Sequence, residues 1–211
     1  LNQIKGLLTI LKMSAENLSE ETMSYLDMME NSTSRLTDMI AKILDVEAIE
    51  SKALNLTLED ADMGSILHQV TDRYMATAEQ KSISITRNIA GNLHANVDKG
   101  YTDQVFENLI SNAIKFSPHN KRLFVNLYEK DGKVIGEIKD EGPGLTEDDK
   151  QKLFGKYQKL SAIPTGNETS TGLGLSIVKK FVEAMQGEIW CESEAGNGAS
   201  FFIAFPLAKP A

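Results

Sequence analysis

The hydrophobic pattern of this chain is helical throughout to about residue 52 and mixed beyond it, which divides the chain into a segment of 1–52 and a larger one of 53–211. In the first, Leu1, Ile4, Leu7, Leu8 and Leu11 recur at helical spacing to about Met13. A second helical stripe, Met23, Leu26, Met29, Leu36, Ile40, Ile43 and Ile49, runs to about Ser51, with Arg35, Asp38 and Lys42 facing out. Between them Ser14 to Thr22 reads as a polar turn, with Ser19 as N-cap and Thr22 three residues on. Two helices joined by so short a connection form an antiparallel hairpin. A single hairpin has too little area to bury both stripes, so a second copy completing a dimeric four-helix bundle is expected. Packing onto the larger segment is the other solution.

The larger segment mixes both periods. Leu54 to Leu58 alternates like a half-buried strand, and Met63 to about Glu79 returns to helical spacing. Strands are predicted at Ile83–Ile89, His94–Val97, Leu123–Tyr128, Val134–Lys139, Glu188–Glu192 and Ser200–Pro206. Lys130-Asp131-Gly132-Lys133 is a hairpin turn signal, and Asn197-Gly198 marks another. A last long helix spans about Gly174 to Gln186, with Gly187 as its C-cap. The fold class is α+β: a helical hairpin, then a mixed sheet with helices on one face.

The stretch Asn108 to Phe116, read as a helix, sets Asn108, Asn112 and Lys115 on one stripe and Val105, Phe106, Leu109, Ile110 and Ala113 on the other. Carboxamides supply neutral oxygen ligands for magnesium, and the ammonium is a compact charge for phosphate. The same stripe also suits a solvated helix face. Asp140-Glu141-Gly142-Pro143-Gly144 follows a strand, so Asp140 can accept a hydrogen bond from a ligand that the glycines let approach closely, or it is a surface loop. Thr169 to Leu175 opens the last helix with Gly172 and Gly174, and a glycine-bearing helix N-terminus suits an anion. It is neither a Walker A loop nor a Rossmann turn: Gly155-Lys156 is followed by Tyr157, and Ile177 stands in the third glycine's place. Lys152 to Ser170 has few periodic apolar residues and suits a lid.

A net charge of -8 argues against a nucleic-acid footprint, and no apolar run approaches the roughly 18 residues of a membrane span. Cys191 is the one cysteine, so no disulfide framework exists and a reducing, cytoplasmic compartment is expected; any membrane anchor of the parent would lie outside this chain.

Taken together, these motifs resemble those of sensor histidine kinases. Asn108 to Phe116 is similar to the N box, Asp140 to Gly144 to the first glycine box, Leu153 to Tyr157 to the F box, and Gly172-Leu-Gly-Leu-Ser-Ile-Val to the second glycine box. They follow the family's order, and with the paired helices the likeness spans nearly the whole chain. It implies a two-layer α/β sandwich of the Bergerat (GHKL ATPase) type, shared with type II topoisomerases, a heat-shock chaperone and mismatch-repair ATPases. The implied activity is a two-component kinase core: Mg-ATP is bound, the γ-phosphoryl group passes to a histidine, and then to an aspartate on a response-regulator receiver domain.

Carried over by position, the resemblance implies that Asn112 coordinates magnesium with Asn108 beside the phosphates, that Lys115 contacts phosphate, and that Phe116 borders the nucleotide. Asp140 would accept the adenine amino group between Gly142 and Gly144, with Ser200 supporting it by a hydroxyl or a water. Thr171, Gly172, Leu173 and Gly174 would form the phosphate end of the lid. Lys159 stands where the family often has Arg, and a lysine there makes no bidentate contact. Glu107 is a candidate base or water-orienting group. The family's acceptor histidine is expected upstream of Leu1; His68, His94 and His119 do not substitute, so the chain as given is not expected to phosphorylate itself. Other readings are a hydrolysing ATPase of the same superfamily, whose catalytic Glu would fall at Asn108, and a non-catalytic nucleotide-sensing dimerisation module.

Overall fold

A computed structural model describes residues 2–14, 19–50, 55–158, 160–166 and 172–208. It forms two compact units, Leu1–Leu54 and Asn55–Ala211.

The first unit holds α1 (Asn2–Ser14) and α2 (Glu20–Glu50). Ser19 begins α2 as its sequence predicts: Thr22 N–H donates to Ser19 Oγ at 3.2 Å. Lys12 at the end of α1 bonds Asp27 (2.6 Å) and Glu30 of α2, which orients the pair antiparallel. Leu8 and Leu26 are buried between the helices, while Leu7, Ile10, Leu11, Met29 and Leu36 remain half or more exposed. The predicted extension to Ser51 lies outside the described residues.

In the second unit the order is β1 (Glu59–Asp62), α3 (Met63–Gln80), β2 (Ser84–Ile89), β3 (His94–Val97), α4 (Lys99–Phe116), β4 (Arg122–Lys130) and β5 (Lys133–Asp140). Then come α5 (Glu147–Lys152), α6 (Gly174–Ala184), β6 (Glu188–Ser193) and β7 (Ala199–Pro206). The main sheet runs β2-β4-β5-β7-β6, parallel only between β2 and β4, and β1 pairs with β3 in a separate ribbon. The β4–β5 turn has Asp131 and Gly132 at φ 53° and 72°, as the primed hairpin turn requires.

Alternation along the strands turns Leu123, Val125, Ile138, Ile203 and Phe205 onto one face, where α3, α4 and α6 cover them. Gly136 in the central strand makes room for α4: a Cβ there would stand 3.0 Å from Phe106 Cε1. That contact seats the asparagine-bearing helix across the middle of the sheet. On the other face Ile135, Phe202 and Ala204 form a smaller cluster under Tyr128 and Trp190, with Trp190 stacked on Phe202 at 5.0 Å.

Three expectations require correction. The strand predicted at Leu54–Leu58 lies later, at Glu59–Asp62, because backbone pairing with β3 and burial of Ala61 alone decide it. The stretch between Asp140 and Lys152, given no element in the prediction, holds a helix, α5, started by a Thr146–Asp149 capping box and ending where the predicted lid begins. The left-handed residue after α6 is Gln186 (φ 61°), not Gly187, whose missing side chain instead lets Phe205 Cε1 approach where a Cβ would be 2.5 Å away.

Candidate nucleotide site

Asp98 opens α4 with both carboxylate oxygens employed. Oδ1 accepts from Tyr101 N–H (3.1 Å), capping the helix, and Oδ2 accepts from Thr57 N–H (2.8 Å). With Val105, Phe106, Leu109 and Ile110 buried, the opposite stripe of α4 presents Asn108 and Asn112, joined by an Nδ2–H of Asn112 donating to Asn108 Oδ1 at 3.1 Å. Gly174, the first residue of α6, packs on Asn108: a Cβ there would lie 2.5 Å from Asn108 Oδ1. The second glycine stretch and the asparagine helix are therefore in contact.

Asp140 ends β5 on the helix-covered face. Its Oδ1 accepts from Gly142 N–H (2.8 Å) and Ala199 N–H (3.2 Å); among the described residues Oδ2 accepts none. Burial drives its carboxyl up to about 6, against those two hydrogen bonds, which favour the charged form. The loops around it interlock. A Cβ on Gly198 (φ 77°) would strike Asp140 O at 2.0 Å, and one on Gly144 (φ 68°) Glu194 O at 2.1 Å.

Two spaces adjoin at Asn112, Phe116, Ala162 and Leu175. A narrow recess runs from there to Asp140, Gly144 and Phe201, and a cavity of about 310 Å³ opens toward Leu153, Pro164, Gly172 and Gly174. Lys115 stands beside them, its Nζ 5.4 Å from the Phe116 ring centroid. The loop beyond α5 is pinned at Asp149, a buried carboxylate accepting from Ser161 N–H (2.8 Å) and from the Thr146 and Ser161 hydroxyls. Burial opposes its charge, but these bonds together hold the carboxyl well below the ordinary range.

Most predicted site residues thus gather here: Asn112, Phe116, Asp140, Gly144, Gly172 and Gly174 line the two adjoining spaces, while Asn108 meets Asn112 and Gly174, Lys115 lies near the Phe116 ring and Gly142 donates to Asp140 from just behind them. Others do not. Ser200 pairs with Lys139 and faces the far side of the sheet from Asp140, and the Ala199 amide takes the supporting position instead. Glu107 is exposed, accepts from Tyr74 Oη (3.1 Å) and lines neither space. The Leu173 side chain is buried in the core, leaving only its backbone for a ligand. Lys159 and Thr171 lie outside the described residues. The apolar walls, Leu175 and Phe201 among them, were missed, although strand alternation from Ala199 places Phe201 on the Asp140 face.

The donor set fits a magnesium nucleotide. The Asn112–Asn108 bond leaves Asn112 Oδ1 available to a hard cation, and no described cluster of three His, Cys, Asp or Glu could enclose a metal unaided. An ion here would complete its shell from phosphates and water, as magnesium does. No helix among the described residues is long and apolar enough to cross a membrane.

Comparison with known proteins converges on the same place. Residues 97–209 match the family model described as histidine kinase-, DNA gyrase B-, and HSP90-like ATPase. The chain is 28% identical over 188 residues to sensor histidine kinase WalK of Bacillus subtilis (strain 168), covering 88% of this chain and 31% of WalK. It is 29% identical over 214 residues to autoinducer 2 sensor kinase/phosphatase LuxQ of Vibrio parahaemolyticus, covering 98% of this chain and 25% of LuxQ. It spans less than a third of the length of these curated relatives. Full-length ShkA, crystallised with AMPPNP, superposes with a TM-score of 0.83 at 26% identity, over 100% of this chain and 43% of ShkA. Histidine kinase ThkA, solved with response regulator protein TrrA, superposes at 0.69 and 24% identity, over 97% of this chain and 57% of that one, a likeness of fold. With its matched segment carrying the asparagine helix, both glycine turns and Asp140, the chain belongs to the histidine kinase-, DNA gyrase B-, and HSP90-like ATPase family.

Proposed function

We propose that this chain is the kinase core of a two-component sensor. It binds Mg-ATP between α4 and the two glycine turns and passes the γ-phosphoryl group to a histidine. The observation that carries this reading is the recess from Asp140, whose Oδ2 accepts no bond among the described residues, to Asn112, where it adjoins the larger cavity. Asp140 accepts the adenine amino group, Phe116 and Leu175 flank the base, and Lys115 offsets phosphate charge beside Asn112 and Asn108. Asn112 would hold magnesium through its carboxamide oxygen, and the ion would supply charge neutralisation for the phosphate oxygens. The histidine ring nitrogen bonds the γ-phosphorus as the bond to the β–γ bridging oxygen breaks, and ADP leaves. Transfer of this kind is positioning plus charge neutralisation, so the site needs no nucleophile of its own.

Hydrolysis finds no comparable support, since Glu107 is held by Tyr74 outside both spaces. The exposed apolar residues of α1 and α2 support a homodimer closed as a four-helix bundle, and the ThkA–TrrA complex supports a receiver domain as the next phosphoryl acceptor.

The test is ATP titration by calorimetry with magnesium, then labelling from γ-labelled ATP of this chain and of a version extended at its N-terminus. Binding by both, with acid-labile label on the extended version alone and its transfer to a receiver domain, is the expected result. Failure of the chain to bind ATP would sink the reading.

A further inference from the structure

Lys81 follows the last residue of α3, belongs to none of the sequence motifs, and is buried. Nζ donates to Ile114 O (3.1 Å) and Lys115 O (3.2 Å), two of the carbonyls that the end of α4 leaves without helical partners, and to Thr165 Oγ1 (3.0 Å). A cation there also complements the negative end of the helix dipole. Thr165 closes on the same spot: its N–H donates to Lys115 O at 3.1 Å and its hydroxyl to Ser117 O at 2.7 Å. Lys81 O accepts from Asn120 N–H at 3.1 Å, so the residue is fixed by its backbone as well.

Both parts that this ammonium joins border the cavity. Ala162, Ile163 and Pro164, just before Thr165, line it, and Phe116, just after Lys115, lines it and the adjoining recess. We infer that Lys81 is a positioning residue for the nucleotide site, tying the last turn of the asparagine helix to the loop that walls the cavity; what the cavity takes rests on the function proposed above. The loop is then pinned at two points, Ser161 by Asp149 and Thr165 by Lys81 and Lys115 O, with three residues between. A wall held in place beforehand spends less binding energy on ordering.

The test compares wild type, Lys81→Met, Thr165→Val and the double variant, by amide hydrogen exchange without ligand and by ATP affinity with magnesium. Lys81→Met is expected to speed exchange of the Thr165 amide by about tenfold or more, with Ile138 in β5 unchanged, and to weaken ATP binding by about tenfold. The double variant should lose less affinity than the two single losses combined, because both changes break the same Lys81–Thr165 contact. Unchanged exchange at Thr165, or fully additive losses of affinity, would overturn the inference. Should Lys81→Met fail to fold, Thr165→Val alone must show the faster local exchange and the weaker binding, and normal values of both would overturn it. If the wild type binds no ATP, the nucleotide reading fails, and the exchange measurement still decides whether Lys81 holds the loop.

Discussion

Gly174 lies against Asn108 so closely that a Cβ on the glycine would stand 2.5 Å from the carboxamide oxygen. The obstructing atom ends a side chain, so Gly174→Ala can be accommodated by turning Asn108 away and breaking its bond with Asn112. The expected outcome is a fold stable to within about 1 kcal/mol of wild type with Mg-ATP affinity down about tenfold, read by thermal melts and calorimetry. Gly144→Ala is the contrast: its φ is 68° and its Cβ would meet backbone, Glu194 O, at 2.1 Å, so a loss of roughly 3 kcal/mol or more of stability is expected.

Asp140 gives a pH signature. Its folded value of about 6 lies above the ordinary 3.8, so between them the folded chain holds a proton the unfolded chain has released. Stability therefore falls as pH rises from about 4 to about 6, and stays lower above. Asp140→Asn keeps an oxygen for the Gly142 and Ala199 amides without the buried charge, so the ligand-free variant should melt higher than wild type at pH 8, and no higher at pH 4. Adenosine, which has no phosphate to titrate, should bind the wild type less well as pH drops through about 6 and bind the variant without that dependence. At neutral pH the variant should lose roughly 1.5–3 kcal/mol of ATP affinity. Unchanged affinity removes Asp140 from the adenine contact.

Asp149 carries the opposite sign. Held below its ordinary 3.8, it stabilises the fold above that value and ceases to as acid protonates it. Asp149→Asn should cost about 1–3 kcal/mol at pH 7 by denaturant titration, and the gap from wild type should shrink as pH falls below about 3.8. Ser161→Ala should reproduce part of this. A gap that persists at low pH would show that the charge is not what holds the loop.

The parts of this site that were legible in sequence are those whose residue types are themselves the signal. Asn108 and Asn112 share a stripe by spacing alone, and glycines flank Asp140 because backbone must pass close to it. What escaped depends on partners far along the chain. The ribbon strand Glu59–Asp62 is polar in three of four positions and takes its identity from backbone pairing with His94–Val97, while the alternation of Leu54, Leu56 and Leu58 drew the expectation upstream. Ser200 was assigned to Asp140 by position, whereas its face follows from the Lys139 register. Helix α5 has six residues, too few to show a period, although Thr146 and Asp149 spell its start. Lys81 reads in sequence as an ordinary solvated lysine and becomes a clamp only where α4 ends.

Asp98→Asn should keep the cap of α4 through Oδ1 but set an Nδ2–H₂ donor against Thr57 N–H, at a cost of about 1–3 kcal/mol in stability. Thr57 should lose its exchange protection while the Tyr101 amide keeps its own. Equal loss at both would show that the two bonds are not separable.

The dual engagement of Asp98 also has a mechanical meaning. A tug on the polypeptide at Thr57 is met by the same carboxylate that anchors the leading turn of the helix bearing Asn108 and Asn112. A displacement of the backbone at Thr57 therefore acts directly on the first turn of α4, the helix that carries the two carboxamides further along.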